Sequence, residues 1–356
     1  MIKFRYFSKE ILSAMTATTV VLLLVFMSTQ FVRYLGYAAG GSIPVLFVFK
    51  LMLLEVGNLI GLLLPIGFFL GVLLAYGRLY ADSEMTVFSA TGMTRARLVS
   101  ITLGLAALLA LLDGAFMLWI GPSVANDRYR ILLQGRSASV VDTIIPGRFT
   151  PIQGGRQVIY VESINRDRTI GQNVFMARLT PKHDWEMLTA QSAKVHTDGH
   201  QNNWLEFGDG QAYVGKPGDK DFQVIEFKQL EQRLPPILPP TTVKERTLPS
   251  TRLWPLNNTN KAYAAELQWR VAMPLSILIL GLLAVPLSYV RPRQGKYAKL
   301  IPAVILYVVY ANFLFVGRNW IVNGAVTPNV GLWWLHGSML LIAFLLYFPP
   351  KRWFTV

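Results

Sequence analysis

Six stretches of this chain, at roughly 11–35, 53–77, 98–121, 267–290, 299–317 and 332–349, approach or exceed the ~20 apolar residues a helix needs to cross a hydrocarbon core. Nothing else in the sequence constrains the fold as strongly, because lipid offers backbone N–H and C=O groups no partner outside the helix itself. Composition agrees, with 53% of residues hydrophobic and 15% charged, well outside the soluble pattern. The first run follows MIKFRYFSKE, which has the basic start of a signal peptide. It is too long for one and no small-residue cleavage site follows, so it reads as a retained anchor.

Lysine and arginine sort the connections. Lys3, Arg5 and Lys9 precede the first span; Arg78, Arg95 and Arg97 lie between the second and third; Arg291, Arg293, Lys296 and Lys299 lie between the fourth and fifth; Lys351 and Arg352 follow the sixth. The positive-inside rule puts these loops and both termini in the cytoplasm. Residues 122–266 then fall on the other side, with 18 Lys and Arg against 15 Asp and Glu, leaving 16 against 5 for the membrane portion. The net charge of +14 therefore belongs to topology. Basic residues scattered through short loops, without a patch of interleaved aromatics, do not make a nucleic-acid interface.

After Pro122 the pattern changes to short alternating runs: 157–163, 173–179, 185–190, 193–197, 203–208, 211–215 and 222–228. Gly154-Gly155, Asp198-Gly199, Asp209-Gly210 and Pro217-Gly218 fall between runs, and period-two alternation broken by such pairs predicts an antiparallel β domain. One face of such strands is apolar, which a sandwich or jelly roll buries; splayed sheets would leave an apolar slot. RLPPILPPTT (233–242) lacks the donors of a central strand and reads as an extended exit toward the fourth span, or as a proline-recognition motif. The expected fold class is thus an α-helical membrane protein of six transmembrane helices with an inserted all-β, jelly-roll-like domain. Its parts are 1–121 (three helices with a polar loop helix about 78–97), 122–266 (the β domain and its connections) and 267–356 (three helices).

Motifs for catalysis are missing. Gly215-Lys216 is followed by proline and Gly295-Lys296 by tyrosine, so no phosphate-cradling loop of the GxxxxGK[ST] type exists, and nucleotide energy has to come from a partner. There is no cysteine and no HExxH, and His183, His196, His200 and His336 lack metal-ligand spacing. No nucleophile-elbow GxSxG supports a serine hydrolase. More telling are ionisable groups at membrane depth, which tend to face protein or water: Arg33, Glu55, Asp113, Arg270 and Arg318. Arg33 and Arg318 lie at the outer ends of their spans, where each would either meet an anionic headgroup or snorkel to the interface. Asp113 reads as half of an intramembrane ion pair or as a substrate contact.

A charged, helix-like segment, YGRLYADSEMTVFSATGMTRARL (76–98), joins the second and third spans. Together with an exterior β domain and no nucleotide site, it suggests a permease docked through this loop onto a separate motor. FRYFSKEIL (4–12), QFVRYLGYAAGGSIP (30–44), LPIGFFLGVLLAYGRLYADSEMTVFSATGMT (64–94), AELQWR (265–270) and VPLSYVRPRQGK (285–296) resemble the LptF/LptG lipopolysaccharide export permeases over nearly the whole chain. The resemblance implies a subunit of an ABC transporter in the bacterial inner membrane, with its β domain periplasmic. It implies pairing with an LptG partner, an LptB ATPase dimer below, and LptC supplying a helix and a second β domain. No cofactor is implied for this chain; ATP and magnesium are used by the ATPase, and the permease is not an enzyme. In the family the loop between spans 2 and 3 is a coupling helix whose acidic residue engages the ATPase, which maps onto Glu84, with Asp82, Arg95 and Arg97 as supporting contacts. Basic residues at the outer end of span 1 meet cargo phosphates, which maps onto Arg33. Gln30 stands where some relatives carry lysine, so that clamp is either weaker here or completed by another residue, with Arg318 the candidate. The alternatives are a mechanotransmission permease through which no lipid passes, for which a polar β interior would be expected, and a membrane enzyme, which would need a convergent acid, base or metal cluster.

Overall fold

The computed structural model describes residues 2–39, 43, 45–137, 146–152, 157–165, 170–179, 185–197, 203–216, 222–233, 245–256, 258–289 and 300–348. Two compact units are present: Met1–Thr29 with Leu53–Arg128 and Val243–Val356, and Gln30–Met52 with Tyr129–Thr242.

Helices dominate the first unit. They are α1 (Ile2–Ala39), α2 (Val45–Ala81), α3 (Glu84–Ala90) and α4 (Arg95–Ala115), which runs through a π turn (Phe116–Ile120) into α5 (Gly121–Ser137). After the β strands come α6 (Ser250–Leu253), α7 (Lys261–Leu287), α8 (Leu300–Asn323) and α9 (Trp333–Tyr347). The ends of α1 and α2 nearest residue 40, and the end of α5, belong to the second unit. Among the described residues five helices are long and apolar enough to cross a membrane, and the sixth expected span is the shorter apolar helix α9. Its 15 residues rise about 22 Å, less than the ~30 Å of a hydrocarbon core. The last residue of the span expected at 332–349 lies outside the described residues.

α7 is buried on nearly every side from Ala264 to Val285, as expected of a helix that is apolar all round, and it packs against α4, α8 and α9. Pro274 and Pro286 lie within it and Pro65 within α2. α1 approaches α2 closely at Gly71, where a Cβ would come within 2.8 Å of the Met15 backbone; only a glycine admits that approach.

In the second unit six strands form one antiparallel sheet in sequential order: β1 (Thr150–Ile152), β2 (Gln157–Ile164), β3 (Ile170–Leu179), β4 (Trp185–Thr197), β5 (Asn203–Gly215) and β6 (Phe222–Arg233). The inserted all-β unit is as expected, but among the described residues its topology is a meander of hairpins. A jelly roll needs two sheets in Greek-key order. The runs expected at 185–190 and 193–197 are one strand, and so are those at 203–208 and 211–215. Asp209-Gly210, expected to form a turn, lies inside β5.

The reason is a line of disruption across the sheet. Cα pairing skips Glu162 with Asn173, Asn173 with Gln191, Gln191 with Asp209, and Asp209 with Lys228. Along the same line the inward-facing phase shifts. The step is from Val161 to Ile164, from Val174 to Gly171, from Ala190 to Ala193, from Phe207 to Ala212 and from Phe227 to Leu230, always an odd number of residues. Asn173 and Asp209 take positive φ there, 50° and 46°, a conformation that Asn and Asp tolerate better than most side chains. Bulge-like irregularities of this kind bend a sheet, and a phase break within a strand mimics a strand end in the sequence. On one face Ile159, Val161, Val174, Met176, Leu188, Leu205 and Phe207 form a buried apolar cluster. An open hollow of about 850 Å³ lies over the line and is lined by Asn173, Gln191, Asp209, Glu226 and Lys228 among others.

Candidate functional site

The connection between α2 and α4 is compact. α2 ends at Ala81, Ser83 turns the chain at φ 61°, and α3 starts at Glu84, where a carboxylate suits the positive end of a helix. α3 spans Glu84–Ala90, shorter than the expected 78–97; Arg78 belongs to α2, and Arg95 and Arg97 belong to α4, whose first turn is capped by the Thr94 hydroxyl accepting from Arg97 N–H at 3.3 Å.

The first turns of α1 hold α3 in place. The Tyr6 hydroxyl donates to Glu84 Oε2 at 2.6 Å. Phe88 packs on both Tyr6 and Phe7, with ring centroids 5.8 and 5.1 Å away. Lys3 Nζ donates to Thr91 Oγ1 at 3.2 Å, and Arg78 pairs with Glu10 at 2.7 Å. Met85 and Met93 are buried below. The other side is open: Asp82, Thr86, Val87, Arg95 and Arg97 are exposed, and the Arg95 guanidinium lies 5.8 Å from the Tyr289 ring centroid. Of the expected site residues, Glu84 is half-buried against α1, while Asp82, Arg95 and Arg97 are exposed.

The membrane-depth residues divide into paired and unpaired. Glu266 is 4% exposed and binds two arginines: Arg270 Nε at 3.1 Å and the Arg318 guanidinium at 2.6 Å. Arg270 also donates to the Leu248, Glu245 and Arg246 carbonyls and to Ser250 Oγ, fixing the segment that enters α7. Arg318 also lies 5.5 Å from the centroid of Trp269. It is therefore engaged inside the protein, whereas from its place in the span it was expected to meet a headgroup or snorkel. Glu55 pairs with Arg128 at 2.9 Å and accepts from Asn58. Asp113 is fully buried, and no arginine pairs with it among the described residues.

In the second unit Arg33 is exposed on α1 beside Tyr34, which is buried against Ile43, Val48 and Leu51. Gln30 is half-buried, and its Oε1 has no hydrogen-bond partner.

Residues 5–348 match the family described as lipopolysaccharide export system permease LptF/LptG. The chain belongs to that family. It is 28% identical over 351 residues to the lipopolysaccharide export system permease protein LptF of Escherichia coli K12, covering 97% of this chain and 94% of that protein. The LptF of Shigella flexneri matches equally, and Escherichia coli K12 LptG is 27% identical over 171 residues, 47% of this chain and 46% of that protein.

Two members of the polar sites in this LptF/LptG permease were not anticipated. Tyr6 was hidden because its partner is 78 positions away. Glu266 was placed one residue outside the fourth span. The Glu266–Arg270 spacing of four residues is the signal that would have found it, since i and i+4 share a helix face.

Proposed function

We propose that this chain is the transmembrane permease subunit of an ATP-driven exporter that takes lipopolysaccharide from the outer leaflet of the bacterial inner membrane and passes it across its β unit toward the outer membrane. It works beside an LptG permease, an LptB ATPase dimer and LptC, and it performs no chemistry itself; LptB hydrolyses ATP with magnesium. Both termini and α3 are cytoplasmic and the β unit is periplasmic.

The observation that carries this reading is the apolar face of the sheet. Acyl chains resist transfer to water by about 0.8 kcal/mol per CH₂, so a periplasmic route for them needs a continuous apolar surface. Ile159, Val161, Val174, Met176, Leu188, Leu205 and Phe207 would supply one once that face opens, since here they pack on one another at 0–3% exposure. A polar face there would have favoured mechanotransmission. Glu84 is the coupling carboxylate, with Asp82, Arg95 and Arg97 around it. Arg33 and Gln30 receive the cargo phosphates. Arg318, tied to Glu266, would complete the cargo clamp only from within that ion pair.

The decisive experiment purifies the tagged chain in mild detergent with a photo-crosslinking residue at Met176 or Phe207 and identifies co-purifying polypeptides and lipid by mass spectrometry. A second permease, an ATPase and lipopolysaccharide crosslinked to the sheet are expected. An ATPase with no crosslinked lipid would mean mechanotransmission, and the absence of any ATPase would overturn the permease reading.

A further inference from the structure

Among the described acidic residues buried in the membrane helices, Glu55 and Glu266 have arginine partners, and Asp113 stands apart. It is 0% exposed, and neither carboxylate oxygen has a hydrogen-bond partner. Its surroundings are apolar. A Cβ on Gly61 of α2 would lie 3.2 Å from Asp113 Oδ1 and 2.9 Å from the Met117 methyl, and the neighbouring Gly114 rests on Pro274 of α7. The buried charged groups on these elements are committed elsewhere, Glu55 of α2 to Arg128 of α5 and Arg270 of α7 to Glu266.

Because its own chain already covers Asp113 completely, another subunit cannot supply the missing counter-charge without first separating these helices. An ionised carboxylate without partner or water is strongly disfavoured in such a place, whereas a neutral carboxylic acid is tolerated. The π turn Phe116–Ile120 begins three residues later, with Phe116 N–H directed at the Asp113 and Leu112 carbonyls, and such turns occur frequently at functional positions within helices.

We propose that Asp113 is an intramembrane proton-binding site, whose bound proton stands in for a counter-ion and lets α2 close on α4 at Gly61. Loss of the proton breaks the carboxyl O–H bond, passes H⁺ to water and leaves a carboxylate that the closed contact does not accommodate. Protonation therefore favours the closed contact, and stability drawn from it falls as pH rises.

The test treats the purified complex with dicyclohexylcarbodiimide, which enters apolar regions and modifies protonated carboxyls, and maps the adduct by peptide mass spectrometry. Adduct is expected mainly at Asp113, because the Glu55 and Glu266 carboxylates are held by arginines. In parallel, thermal denaturation of wild type and Asp113→Asn is followed from the ordinary carboxylate range near pH ~4 up to alkaline pH. The amide is a neutral isostere, so the variant is expected to match wild type at the acid end, where the carboxyl is protonated, and to lose less stability as pH rises above that range. An Asp113 peptide recovered without adduct, or two stability profiles that run parallel, would overturn the proposal.

Discussion

Tyr6 and Glu84, 78 positions apart, meet through a 2.6 Å hydrogen bond from hydroxyl to carboxylate. The start of α1 is thereby built into the proposed docking surface. Tyr6→Phe keeps the ring contacts with Phe7 and Phe88 but releases the carboxylate, at a cost of about 1 kcal/mol. The expected outcome is a folded chain that retains less ATPase on purification than wild type and more than Glu84→Ala. ATPase retention and lipopolysaccharide release by reconstituted complex would measure it, and a Glu84→Ala variant that releases cargo normally would remove the coupling role.

The membrane architecture was legible because each long helix is written as a long, mainly apolar run, and the β unit because alternation is a local signal. What escaped were features that depend on long-range contact or on a break in period. The phase shifts at Asn173, Gln191 and Asp209 made single strands look like pairs of strands, since an alternation that changes face resembles one that ends. Arg318 looked available because no sequence rule shows that a residue 52 positions earlier holds it. That a short helix beginning at Glu84 joins the second and third spans was readable from loop position; the Tyr6 contact was not.

Glu266 is shared between Arg270 and Arg318, so Glu266→Ala leaves two arginines without their shared carboxylate. Removing one partner from a buried ion pair costs about 3–5 kcal/mol. Poor accumulation and a clearly lowered melting temperature in detergent are expected. Arg270→Ala should in addition expose 245–253 to protease, because the carbonyls of Glu245, Arg246 and Leu248 lose their donor. Wild-type melting of Glu266→Ala would show that the network contributes nothing to stability.

At Gly210 an added Cβ would collide with the Thr189 carbonyl oxygen and the Phe227 ring. The first obstacle is backbone and cannot rotate away, so Gly210→Ala should destabilise the β unit by about 1–3 kcal/mol. Faster cleavage of the β unit in limited proteolysis of the full chain is the readout. Gly104→Ala is the matched control: nothing lies within 4 Å of a Cβ on Gly104 of α4, and alanine is favoured over glycine within a helix by about 0.5–1 kcal/mol. Equal protease resistance in the two variants would mean that the line of phase shifts tolerates a side chain at β5.

Arg33 is exposed where Tyr34 beside it is anchored in a buried cluster, so the helix backbone is fixed while the guanidinium is free to reach a ligand. A guanidinium presents paired donors that match phosphate oxygens, and hydrogen bonds to charged groups are worth about 1.5–3 kcal/mol, or roughly ten- to a hundredfold in affinity. Arg33→Glu replaces that attraction with repulsion and should lower lipopolysaccharide crosslinking by at least that factor, while Arg33→Lys retains the charge without the fork and should fall between. Gln30→Lys, adding a cation one turn earlier on the same helix, should raise capture. If crosslinking to cargo is the same in Arg33→Glu as in wild type, the phosphate contact lies on another residue, and the outer end of α1 serves only to pack Tyr34.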